Sequence, residues 1–185
     1  TAEADEAQRR SVVLLSNRDS GGGATLPLAN GLKLYIEGAA PEAAARYGFV
    51  VETPEEADVA ILRVTTPFEP GEGFFASSIH EGNLAFTGAE LEHLRTVMRG
   101  TPTVVAVYLE RPAVLTEIVE DAAAVLGTFG ASDEAVLDAI FGVYAPSGKL
   151  PFELPRSMEA VDAQLEDVPF DSADPAFPFG FGLTY

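Results

Sequence analysis

Residues 131–155 read Ala131-Ser-Asp-Glu-Ala-Val-Leu-Asp-Ala-Ile-Phe-Gly142-Val-Tyr-Ala-Pro146-Ser-Gly148-Lys-Leu-Pro-Phe-Glu-Leu-Pro155. Ser132 is placed to cap a helix, with Asp133 and Glu134 at the positive end of its dipole. Val136, Leu137, Ile140 and Phe141 recur at helical spacing, so one face must be packed. Gly142 follows the last apolar residue, where a glycine ends a helix by turning left-handed. Pro146-Ser147-Gly148 predicts a turn, since proline presets one dihedral and glycine supplies the unusual one. Leu150 to Leu154 then runs extended, because each proline pushes its predecessor out of the helical region.

Working outward, the upstream chain alternates strand and helix patterns. Thr103–Leu109 is β-branched and almost continuously apolar, as a strand covered on both faces must be. Val59–Val64 reads the same way, interrupted by Arg63 near its end, and Ala122–Leu126 predicts another buried strand. Leu32–Glu37 and Phe49–Val51 are further strands. Helices are expected at Pro41–Tyr47, Gly88–Arg99 and Pro112–Asp121, with Thr53 capping a single turn at Pro54–Ala57. Ala2–Leu15 is read as an opening helix, amphipathic only at its end. The sum is an α/β three-layer sandwich, a mostly parallel sheet of about six strands with helices on both faces. Residues 1–185 are read as one domain, with an opening helix and linker over 1–28 and an irregular C-terminal tail over 156–185.

Composition excludes several function classes. The chain of 185 residues holds 11 Lys plus Arg against 29 Asp plus Glu, a formal charge of −18. That field repels nucleic acid and anionic membrane, so neither is expected as a partner. No apolar run approaches the roughly 18 residues that a membrane span needs. There is no cysteine and only two histidines, so neither a thiol nucleophile nor a metal site is expected. No serine sits between the glycines of a nucleophile elbow. The Gly21-Gly22-Gly23 loop could cradle phosphate only between a strand and a helix. Here a helix is read before it and Leu26-Pro27-Leu28 after it.

Residues 131–155 also carry a family resemblance. A helix ending in Phe141-Gly142, followed by Pro146-Ser147-Gly148-Lys149-Leu150-Pro151-Phe152, resembles the C-terminal α/β sandwich domain of family 3 glycoside hydrolases. Phe179-Gly180-Phe181-Gly182-Leu183-Thr184-Tyr185 is similar to that family's closing segment. Arg10 to Asn17, followed by Leu26-Pro27-Leu28, resembles the way the chain runs into the domain.

Chemistry is expected in the loop Thr65–Leu84, directly after the third strand. Ligand sites of open parallel sheets lie beyond the carboxyl ends of the strands. At roughly 20 residues the loop far exceeds the usual 2–6 of a simple connection. It holds Glu69, Glu72, His80 and Glu81 among Phe68, Phe74 and Phe75. Aromatic rings stack on sugar faces, and a carboxyl beside them has its proton held more tightly.

The resemblance implies a retaining β-glucosidase-like enzyme acting on a β-linked glucoside or related saccharide, with no cofactor. The nucleophile would belong to an N-terminal barrel domain of the same enzyme, and this domain would lend the acid/base glutamate. Glu69 or Glu72 would be that residue. Glu69 stands on a stiff Pro67-Phe68-Glu69-Pro70 turn. Glu72 lies in a Gly-Glu-Gly resembling some members, but Phe74-Phe75 stand where Asp-Arg usually follows. Arg63, Phe68, Phe74, Phe75 and His80 are the candidate substrate contacts; Arg63 could equally pair with a loop glutamate or reach solvent. The isolated chain is expected to be inactive. The alternative is a non-catalytic α/β carbohydrate-binding or interaction module.

Overall fold

The computed structural model describes residues 1–19, 23–71 and 80–185. Glu72, Phe74 and Phe75 lie outside them. Among the described residues, six strands form one sheet: β1 (Val13–Asn17), β2 (Lys33–Glu37), β3 (Phe49–Val51), β4 (Val59–Thr65), β7 (Thr103–Tyr108) and β8 (Ala124–Thr128). Their order is β1-β8-β7-β4-β2-β3. All neighbours run parallel except β1, which is antiparallel to β8. A small antiparallel ribbon, β5 (Glu69–Pro70) with β6 (His80–Glu81), stands apart. The helices are α1 (Ala2–Ser11), α2 (Pro41–Ala44), α3 (Gly88–Gly100), α4 (Thr116–Asp121), α5 (Asp133–Ile140) and α6 (Met158–Asp162), with a 3₁₀ turn at Pro54–Glu56.

Strand side chains alternate between faces, so each buried strand feeds two cores. Val59, Ile61, Val104, Ala106, Ala124 and Leu126 pack beneath α2 and α5. Ala60, Leu62, Val105, Val107 and Val125 pack on the other face against α3, α4 and Leu150, Leu154 and Phe177 of the tail. This is the three-layer sandwich that the apolar runs predicted. The cap of α5 also forms as read: the Ala135 amide donates to Ser132 Oγ at 3.3 Å, and Gly142 has φ 75°.

Three local readings are corrected. The opening helix stops at Ser11, and Val13–Asn17 is a strand. Val12, Val13, Leu14 and Leu15 are all buried, and alternate residues of this run enter opposite cores, so four apolar residues in a row mark a doubly covered strand rather than a helix face. Gly21 and Gly22 lie outside the described residues; the glycine-rich stretch follows a strand, and the next element among the described residues is the strand β2 rather than a helix. Thr53 makes no side-chain cap hydrogen bond. Finally, the tail is not wholly irregular, because Ser157 Oγ accepts from the Ala160 amide and starts α6.

Candidate functional site

The sheet reverses its winding between β2 and β4. From β2 the chain passes outward to the edge strand β3, then returns across β2 to β4 and continues through β7 to β8. Such a switch point leaves a crevice at the carboxyl ends of the two central strands. A cavity of about 440 Å³ lies there, lined by Glu37, Arg63, Thr65, Pro67, Phe68 and Glu90, among others. Its Glu37 wall is already bonded. The Tyr35 hydroxyl donates to Glu37 Oε2 at 3.1 Å, and His93 Nε2 lies 2.9 Å from both carboxylate oxygens. Burial, with the Glu37 hydrogen bond second, raises the Tyr35 hydroxyl above its ordinary pKa.

Arg63 and Phe68 share this crevice; Glu69 and His80 belong to the ribbon beside it. Arg63 is engaged by the neighbouring helix, with Nη1 paired to Asp133 Oδ1 and Nη2 donating to the Ala131 carbonyl at 2.9 Å. It thus ties the end of β4 to the start of α5. Phe68 is 43% exposed, and its ring stacks on His80 at 3.8 Å between centroids. His80 Nδ1 lies 2.6 Å from Glu110 Oε1. Glu69 is exposed and faces Glu81 across the ribbon. Its carboxyl lies over the backbone of Gly82, where a Cβ would come within 2.6 Å of Glu69 Cδ and where φ is 75°. Only glycine suits that position, on grounds of both space and dihedral.

The base of the loop is held by residues that the sequence reading passed over. Thr66 is fully buried; its amide donates to the Tyr108 carbonyl at 3.0 Å. Its hydroxyl reaches the carbonyls of Tyr108 (3.0 Å) and Arg111 (3.1 Å). Arg111 in turn donates to the carbonyls of Pro67, Glu81 and Gly82. The available signal was position alone, since Glu110-Arg111 stands just past the carboxyl end of the clearest strand. Among the described residues, no group of three or more His, Cys, Asp or Glu could hold a metal ion. No helix there is long and apolar enough to cross a membrane.

The sequence pattern of the glycosyl hydrolase family 3 C-terminal domain matches residues 44–185. The chain belongs to that family. It is 48% identical over 184 residues to beta-glucosidase C of Emericella nidulans, covering 97% of this chain and 29% of that protein. It is 46% identical over 187 residues to a periplasmic beta-glucosidase/beta-xylosidase of Dickeya chrysanthemi, covering 98% and 28%. This family 3 domain therefore spans less than a third of the length of these relatives. Its fold superposes with TM-score 0.74 on beta-glucosidase from Listeria innocua in complex with isofagomine, at 21% identity, covering 100% of this chain and 34% of that one. Beta-glucosidase D2-BGL from Chaetomella raphigera gives 0.73 at 18% identity, covering 99% and 36%.

Proposed function

We propose that the chain is the second domain of a retaining, exo-acting β-glucosidase-like enzyme, and that its β5–β6 ribbon lends the acid/base glutamate to an active site shared with an N-terminal barrel domain. The observation that carries this reading is the position of Glu69. It stands four residues beyond β4, at the edge of the switch-point crevice, on a ribbon anchored to the end of β7. Family membership and relatives named as beta-glucosidases support the substrate class, a β-linked glucoside. The exposed half of Phe68 offers an apolar plate for one face of a sugar ring. The partner domain supplies the nucleophile. In the first step Glu69 protonates the departing glycosidic oxygen, and in the second it takes a proton from the attacking water. Glu72 is the alternative for this role.

Removing an acid/base slows departure of a poor leaving group far more than that of a good one. In the enzyme that carries this domain, Glu69→Ala lowers kcat/KM for a β-linked disaccharide by about 100-fold or more, and that for a dinitrophenyl glucoside little. Azide restores turnover of the glycosyl-enzyme, because it attacks without help from a base. Equal losses on both substrates without azide rescue remove Glu69 from the role. The same signature in Glu72→Ala transfers it to Glu72.

A further inference from the structure

We infer that Arg111 is the positioning residue of the acid/base ribbon: one guanidinium grips both ends of the loop and sets where its carboxylate stands. This inference rests on the acid/base reading of the ribbon. Arg111 Nη1 donates to the carbonyls of Pro67 at 3.2 Å and Glu81 at 2.9 Å, and Nη2 to that of Gly82 at 2.8 Å. Pro67 precedes β5 and Gly82 follows β6, so one planar group spans the incoming and outgoing strands. Its donors form a rigid fork, and the distance between its partners is therefore fixed as well.

The ribbon needs such support. Its strands are two residues each, and an isolated two-stranded hairpin is marginal in water even when longer. One of its two facing pairs is Glu69 with Glu81, and like charges directly opposite disfavour pairing. Local sequence thus works against the register that is observed. Arg111 acts on the point that matters for Glu69, because the carboxyl lies over Gly82 and Arg111 holds the Gly82 carbonyl. The clamp itself is anchored, since the Arg111 carbonyl is within reach of the buried Thr66 hydroxyl at 3.1 Å. Next to it, Glu110 holds His80, which stacks on Phe68. Glu110 and Arg111, the second and third residues after β7, therefore grip the ribbon along its length. A lysine, with one point charge, cannot span the same three carbonyls.

The clamp is tested first in the 185-residue chain by amide hydrogen exchange. Arg111→Met should speed exchange in peptides covering 66–71 and 80–84, leaving β7 and α5 as in wild type. Unchanged exchange in the ribbon overturns the clamp. Its consequence is tested in the enzyme that carries this domain. Displacing a catalytic group by about 1 Å costs on the order of 100-fold. Arg111→Met should thus lower kcat/KM for a β-linked disaccharide by about that factor, spare a dinitrophenyl glucoside, and respond to azide. Arg111→Lys, which keeps the charge if Arg111→Met folds poorly, should recover part of the loss. Equal losses on both substrates, as expected of a residue that only keeps protein folded, overturn the positioning role. If neither Glu69→Ala nor Glu72→Ala shows leaving-group dependence, the acid/base reading fails, and the exchange result still decides the clamp.

Discussion

Asp138 is buried on α5, 5% exposed, among residues otherwise read as an apolar face. A buried carboxylate is tolerated when its oxygens are bonded. Tyr47 donates to Oδ1 at 2.6 Å and Arg9 Nε to Oδ2 at 2.6 Å. These partners stand 91 and 129 positions away in the chain, so no local reading of α5 finds them. The bond to Asp138 is the first cause raising the Arg9 guanidinium above its ordinary pKa. Burial, then the Asp138 hydrogen bond and charge, push the Tyr47 phenol up from 10.0 to about 12. The fold therefore favours the neutral phenol. That contribution is complete below pH 10 and is lost as pH rises towards 12. Denaturant midpoints of the wild type should fall more steeply between pH 10 and pH 12 than those of Tyr47→Phe. At neutral pH the variant, with Asp138 short of one donor, should lose about 1–3 kcal/mol. Parallel slopes for the two proteins in the alkaline range would contradict the assignment.

At the scale of elements, the three segments that carry the family resemblance prove to be one clasp. The Gly148 amide donates to the Val12 carbonyl at 3.1 Å, Leu183 to Leu14 at 2.8 Å, and Leu150 to Phe181 at 2.9 Å. Lys149 Nζ donates to the Gly182 carbonyl at 2.6 Å, and the Tyr185 hydroxyl to that of Ala139 at 2.6 Å. The Pro146–Lys149 stretch, which does not form the turn expected from its sequence and whose glycine has no positive φ, thus sits between β1 and the closing segment and binds both. Its glycine is required by space, because a Cβ on Gly148 would lie 2.6 Å from the Val12 carbonyl oxygen. Gly148→Ala should cost about 1–3 kcal/mol, as overpacking does, read as a lowered denaturation midpoint. An unchanged midpoint would show that the clasp yields freely. Legibility followed the length and periodicity of each element. Thr103–Tyr108 and the α5 helix were readable because a continuous apolar run and a capped amphipathic helix each have few alternatives. β1 was not, because Val12 to Leu15 is too short to show a period and adjoins a true helix.

For the whole molecule, alternating strands and helices predict a parallel sheet but no strand order, so the carboxyl end of β4 was legible as the place for a site while the switch point beside it was not. The clamp on the site was not, since Arg111 acts on carbonyls 29 to 44 positions earlier, and backbone carbonyls carry no residue signature. The structure also raises a rival source for the second carboxyl of a retaining pair. Glu69 and Glu81 are opposed on the ribbon, and directly opposite side chains start only about 5 Å apart, close to the separation of about 5–5.5 Å that retention uses. Their arrangement is nevertheless wrong for the chemistry. The nucleophile and the acid/base must flank the scissile bond, whereas cross-strand neighbours project from the same face of one ribbon. On the proposed reading, the second carboxyl then comes from the partner domain. Accordingly, the pure 185-residue chain should not hydrolyse an aryl β-glucoside above a buffer control. Turnover that Glu81→Ala abolishes would place both carboxyls on this ribbon and remove the need for a shared site.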